Sequence, residues 1–395
     1  MLFDDISRRD KRPRGHSEPL YDYLNRSARK SSEQVRNLLE SWFSNYPDKF
    51  KKEFKRRFCS SGDLSHQSAF FELYMHELLL KLNFKVEIHP KIEEEPTHPE
   101  FLVFLKSSPI FYLECSQVKG SREDVAAEKR KNIVYDTLDK MDSPNFFLEV
   151  KVNTHSKTAP SGSKWRRILE KRLSELDPDE LSDKVNKNSL ESLPSWELED
   201  RGWKVTFRPI PKSPEARGKG GVRPIGITWI GPVWCQDHVY ICNAIKGKAT
   251  KYGRLNLPYI IAINVISEFC DNITISNALF GEENITITRM PNGTIRQRQG
   301  RNPNGAWWGP KGPQNTRVSG VLIFPYLLWG NIAKLTPVLW HNPWATKPFD
   351  PNILPLPQLV PDNQNKRLEL RKGRSVNKIF NLPENWPFLE EDDDC

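Results

Sequence analysis

Cysteine is sparse and unpatterned in this chain of 395 residues: Cys59, Cys115, Cys235, Cys242, Cys270 and Cys395 form no C-x-x-C pair and have no histidine at ligand spacing. Neither a disulfide framework nor a structural zinc site is implied. Long apolar runs are also lacking. The longest, Pro258 to Ile266 and Val321 to Trp329, fall short of the ~18–20 residues that a spanning helix needs. The basic N-terminal stretch has no apolar run of the signal-peptide kind. These absences predict a soluble, cytoplasmic protein without a membrane partner.

Aromatic residues, at 11%, are too frequent for wholesale disorder, and 31 prolines with 21 glycines predict many turns. The net charge of +9 is unevenly placed. Residues 1–60 hold fifteen Lys/Arg against nine Asp/Glu, and residues 201–255 hold eleven against two. Glu93–Glu95 and the Glu390–Asp394 run are the acidic counterweights. A local basic surface concentrates phosphate and supplies the sequence-independent part of nucleic-acid binding.

Hydrophobic spacing divides the chain into four stretches. Residues 1–60 read as a loose basic arm followed by a helix through Leu38, Leu39, Trp42 and Phe43. Residues 61–155 read as an α/β core. Phe70, Leu73, Tyr74, Leu78 and Leu82 line a helix, strands follow at 84–90, 101–105 and 110–118, and a helix over 122–141 precedes a strand over 145–153. Residues 156–360 continue that core or form a second α+β domain with basic loops, and residues 361–395 form a polar tail with an acidic end. The fold class expected is α/β, a mixed central sheet flanked by helices, with a C-terminal α+β extension.

The informative segment is the hairpin over 101–118, turning at Lys106-Ser107-Ser108-Pro109. Strand alternation puts Tyr112, Glu114 and Ser116 on one face and brings Glu100 opposite Glu114. Two carboxylates held so close repel each other and call for a divalent cation, Mg²⁺ or Mn²⁺ with oxygen ligands.

With Glu72 on the preceding helix, Pro99-Glu100 at the first strand and Glu114-x-Ser116 on the second, residues 66–155 resemble the PD-(D/E)xK, or restriction-endonuclease-like, nuclease superfamily. The resemblance implies a restriction-endonuclease-like core and a metal-dependent nuclease hydrolysing phosphodiester bonds in DNA, or in RNA, a genome-defence enzyme among the options. It implies Glu72, Glu100 and Glu114 as metal ligands, and dimerisation is common among such folds. Two positions depart from the family pattern. Glu100 stands where Asp is usual, and Ser116 where the family has the Lys that orients the attacking water. In some members that cation comes from the following helix, which points to Lys129 and, less directly, Lys131, with Ser116 assisting. The alternative is a nucleic-acid-binding protein that keeps the fold and has lost hydrolysis.

Other signals stand beside this one. Glu149-Val150-Lys151 is a rival E-x-K on a strand, though no Pro-Asp strand precedes it. His76 shares a helical face with Glu72. Arg217 and Lys219 lie in a basic Gly-rich loop, and Lys246, Lys248 and Lys251 cluster towards a helix end, all as candidate phosphate contacts. Trp307-Trp308 in a Gly/Pro loop fits either base stacking or anchorage to a core, and His341 fits a structural turn.

Overall fold

The computed structural model describes all residues except 93–95, 188, 219–222, 230–235, 291–292, 363–366 and 389–395. Contacts divide the chain into two compact units. Residues 1–11, 19–120 and 235–393 form the first, and residues 12–18 with 121–234 the second, a long excursion between two parts of the first.

In the first unit, α1 (Leu20–Arg26), α2 (Lys30–Asn45), α3 (Asp48–Phe58) and α4 (Asp63–Lys81) lead into β1 (Lys85–Ile88), β2 (Phe101–Leu105) and β3 (Ser108–Val118). Val35, Leu39, Trp42 and Phe43 recur on one face of α2, the spacing that buries a helical stripe. The β2–β3 turn sits where the sequence puts it, with Lys106 at a φ of +58°.

The second unit carries α5 (Arg122–Leu138), β4 (Phe146–Thr154), α6 (Gly162–Ser174), α7 (Pro178–Lys187), β5 (Trp196–Asp200), β6 (Trp203–Pro211) and β7 (Ile225–Trp229). Ser121 caps α5 through a reciprocal bond pair with Asp124. The four strands form a sheet in the order β5-β6-β4-β7 over a core containing Val134, Leu138, Trp165, Leu169, Trp203 and Phe207.

The first unit then resumes with α8 (Asp237–Ala249), β8 (Tyr259–Val265), α9 (Asn272–Phe280), β9 (Glu283–Arg289), β10 (Ile295–Arg301), β11 (Trp308–Gly309), β12 (Gly312–Pro313), β13 (Gly320–Pro325), β14 (Val338–His341), β15 (Gln358–Asp362), β16 (Arg367–Arg371) and α10 (Val376–Phe380). Its main sheet has eight strands in the order β1-β2-β3-β8-β13-β14-β15-β16, with β3, β8 and β13 mutually parallel and β1-β2-β3 antiparallel.

Helices cover both faces of this sheet, so the expected mixed α/β architecture is present. All seven residues of β8 are buried, the pattern of a strand buried on both sides. Ile260, Ala262, Leu113 and Phe111 join the core that includes α2 and α4, while Ile261, Ile263, Tyr112 and Val118 join the core under α8 and α9.

The structure divides the chain elsewhere than residues 155/156. The strand completing the sheet beside β3 is β8, whereas α5 and β4 belong to the second unit. The expected loose arm is packed. Leu2 and Phe3 are buried, and their amides donate to Glu40 Oε1 at 2.7 and 2.8 Å. The tail is folded as far as β16 and α10, because Val376, Ile379 and Phe380 supply an apolar stripe that the sequence reading passed over. Among the described residues, no helix is long and apolar enough to cross a membrane.

Candidate active site

Pairing of Phe101 with Leu113 and of Leu102 with Tyr112 continues the β2–β3 register to set Glu100 opposite Glu114. Glu114 is fully buried and faces the α8 side of the sheet, where β3 is paired with β8 through Ile261. A buried carboxylate needs partners for its charge and its lone pairs. Glu114 has four. Its Oε1 accepts from Lys248 Nζ and, at 3.0 Å, from Lys251 Nζ; its Oε2 accepts from Tyr252 Oη; and Glu100 shares a hydrogen bond with it.

Helix α8 delivers these cations. Ile241, Cys242, Ile245 and Ala249 fix its inner face on the sheet. Lys248 in its last turn and Lys251 just beyond it then reach β3, with Lys251 over the Tyr252 ring at 5.1 Å. Both lysines remain partly exposed, 27% and 34% for their side chains, so the buried carboxylate opens to solvent through its cations.

The two carboxyls are driven in opposite directions. For Glu100, burial acts first, then the hydrogen bond and negative charge of Glu114, raising it to about 9 against the opposing pull of Lys248 and the Cys115 amide. For Glu114, burial acts to raise it, but the hydrogen bond from Glu100, the charge and hydrogen bond of Lys248 and the Tyr252 hydroxyl bring it down to about 2. The pair is therefore one neutral acid and one carboxylate around neutral pH. Glu100 Oε2 is also held by the Cys115 N–H at 3.0 Å. Burial acts to lower Lys248, yet Glu114 and then Glu100 reverse the effect and raise it.

Glu72 sits on α4, on the other side of the sheet. It is buried, accepting from Tyr46 Oη and, at 2.7 Å, from Arg57 Nη1. Cys115 lies between the carboxylates. Burial pushes its thiol up, and the charges of Glu100, Glu72 and Glu114 push it further. Among the described residues, no three His, Cys, Asp or Glu side chains gather closely enough to enclose a metal ion. Glu100 and Glu114 are two carboxyls, the number through which Mg²⁺ is commonly held when waters and phosphate oxygens complete its shell, and here both Glu114 oxygens accept from Lys248, Lys251 and Tyr252. Burial takes His76 down to about 4, so it is neutral.

Lys129 is exposed on α5, in the second unit, whereas the cations bonded to Glu114 within the first unit come from α8 and the residues just after it. Lys248 and Lys251, expected as phosphate contacts, bond Glu114 in this structure. Lys246 lies beside Cys242. Ser116 is on the Glu114 side of β3, paired with Ile263.

Arg217 in the second unit is tied to Asp179 at 2.6 Å, to the Lys212 carbonyl and to Ser182; Lys219 lies outside the described residues. In the rival E-x-K, Glu149 pairs with Arg208 at 2.9 Å. Trp307 is fully buried, the anchorage alternative, and His341 is buried against Gln358. Sequence reasoning missed Tyr252, although Lys251-Tyr252 directly follows the lysine cluster.

Comparison with protein-family models, curated proteins and solved structures returns no match.

Proposed function

We propose that the protein is a metal-dependent nuclease that hydrolyses phosphodiester bonds in nucleic acid, DNA before RNA, with a restriction-endonuclease-like core assembled from α4, β1 to β3, α8 and β8. The observation that carries the reading is the Glu100–Glu114 pair on the β2–β3 hairpin with Lys248 and Lys251 against it. Two lysines in that place supply the cation that Ser116 cannot.

Glu100 and Glu114 would hold a divalent ion, which neutralises phosphate charge and acidifies a bound water. Lys248, beside Glu114, would donate to a non-bridging phosphate oxygen, where negative charge develops. Lys251 and Tyr252 keep Glu114 oriented. Glu100, held protonated by burial and by Glu114, would have to give up that proton to serve as a ligand.

A second reading follows from the same contacts: both Glu114 oxygens already have donors, so the cluster is satisfied as it stands, which favours a nucleic-acid binder that does not cut. Incubating supercoiled plasmid, single-stranded DNA and structured RNA with Mg²⁺ or Mn²⁺ separates the two. The nuclease reading expects cutting that Glu114→Gln and Lys248→Met abolish and Lys129→Ala leaves within about twofold. Salt-sensitive binding by wild type without cutting establishes the second reading.

A further inference from the structure

Strands β9 and β10 pair only with each other, through seven residue pairs from Arg289↔Ile295 to Glu283↔Arg301. Nearly every residue is exposed. The result is a two-stranded ribbon about 24 Å long at ~3.4 Å per residue. Its faces differ. Ile285, Ile287 and Ile295, each more than 60% exposed, occupy one side with Arg289, Gln297 and Gln299. Arg296 opposite Thr288 and Arg298 opposite Thr286 occupy the other. Glu283 pairs with Arg301 at 2.6 Å at the root, so Arg289, Arg296 and Arg298 are unmatched by any acidic residue of the ribbon.

The root is fixed. Arg301 Nη1 donates to the Gly281 carbonyl at 2.7 Å, and the Asn302 amide to the Glu282 carbonyl at 2.8 Å. Gly281 has a φ of +95°, and a Cβ there would lie 1.9 Å from the Asn302 oxygen. Glu282 also bonds His238 Nε2 at 2.8 Å, in the first turn of α8. One rigid helix therefore connects the root of the ribbon to Lys248 in its last turn, ten residues or about 15 Å along the axis.

We infer that this ribbon enters the major groove of duplex DNA, with Arg296 and Arg298 donating to base-edge acceptors and Thr286 and Thr288 beside them. The inference rests on the nuclease reading and names its substrate. A B-form major groove, about 12 Å wide, admits a two-stranded ribbon, and arginine pairs with guanine O6 and N7 there. The major groove of A-form RNA is too deep and narrow for side chains to read.

The test compares wild type, Arg296→Ala/Arg298→Ala, and a chain in which two glycines replace residues 283–301, a closure that the Glu282–Asn302 hydrogen bond permits. Thermal melting confirms that each is folded. Binding is measured by fluorescence anisotropy, in EDTA across a salt series, on labelled 30-bp random-sequence DNA duplex and 30-bp RNA duplex. Cleavage of the same probes is measured in Mg²⁺. The inference expects wild type to prefer the DNA duplex by at least about tenfold. It also expects the double variant to bind about tenfold more weakly, with the salt slope little changed, because contacts to base edges neutralise no phosphate.

Equal binding of the two duplexes, or variants that bind as wild type does, overturns it. So does dissociation of a wild-type dimer by Ile285→Ser/Ile287→Ser with DNA binding unchanged, which would make the ribbon a contact between copies. If ribbon-dependent DNA binding is found without cleavage, the nuclease reading fails and the ribbon stands; if cleavage is undiminished without the ribbon, the reverse holds.

Discussion

Glu100 and Glu114 face each other across the β2–β3 hairpin and share a hydrogen bond, the first holding a proton and the second a charge. One side chain type at adjacent positions thus has two chemical states, because Lys248, Lys251 and Tyr252 all converge on Glu114. The expectations below follow from that asymmetry and from the division of the chain.

Glu100→Gln becomes more stabilising, relative to wild type, as pH rises. An unfolded chain gives up the Glu100 proton above pH ~4.3, whereas the folded chain retains it towards about 9. The contribution of the raised group is complete below its unfolded value and is lost progressively through that window. Glutamine keeps the neutral shape and cannot ionise. Thermal melts at pH 5 and pH 8.5 should show the variant's advantage growing by about 2 °C or more. An advantage independent of pH would mean that Glu100 is ionised in the folded protein.

Lys248→Met leaves a buried charge short of a partner and should cost about 1.5–3 kcal/mol, the range for hydrogen bonds to charged groups. Added to Glu114→Gln, the same change should cost much less, since no charge remains to be orphaned. A double-mutant cycle by urea unfolding reads the coupling; additive costs would place Lys248 outside the pair.

Binding of Mg²⁺ or Mn²⁺ should release close to one proton and tighten about tenfold per pH unit between pH 6 and 8, since Glu100 deprotonates on becoming a ligand. Isothermal titration in two buffers of different ionisation enthalpy measures the release. In Glu100→Gln, no proton release should remain.

Trp165→Ala opens a cavity in the core of the second unit and should destabilise it by about 3–5 kcal/mol. Calorimetry should show one transition shifted down and another in place, because the first unit has separate cores around Trp42 and Trp307. A single transition moving as a whole would show the two units unfolding together.

The carboxylate pair was legible because its determinants are local: a turn at Lys106-Ser107, strand alternation and a spacing that folds Glu100 onto Glu114. Local pattern also placed β2 and put β3 and β4 within about two residues. The cations bonded to Glu114 were not legible by proximity: Lys248 lies 134 positions beyond it in sequence and reaches it in space. Periodicity reports which face of an element is buried, not which element lies against it, so α5 and β4, which open the unit placed between β3 and α8, were read as part of the core. The N-terminal arm misled for a similar reason. Two apolar residues, Leu2 and Phe3, are too few to show a period, yet Glu40 and the core suffice to hold them.

The long excursion between β3 and α8 also orders events in time. A ribosome adding ~5–20 residues per second takes roughly 7–27 s to travel from Glu114 to Lys248. Throughout that interval the nascent chain has its acidic hairpin but neither lysine nor β8, the strand that covers it. The hairpin must wait, hydrated, while the second unit is made, and Lys248, Lys251 and β8 reach it only afterwards.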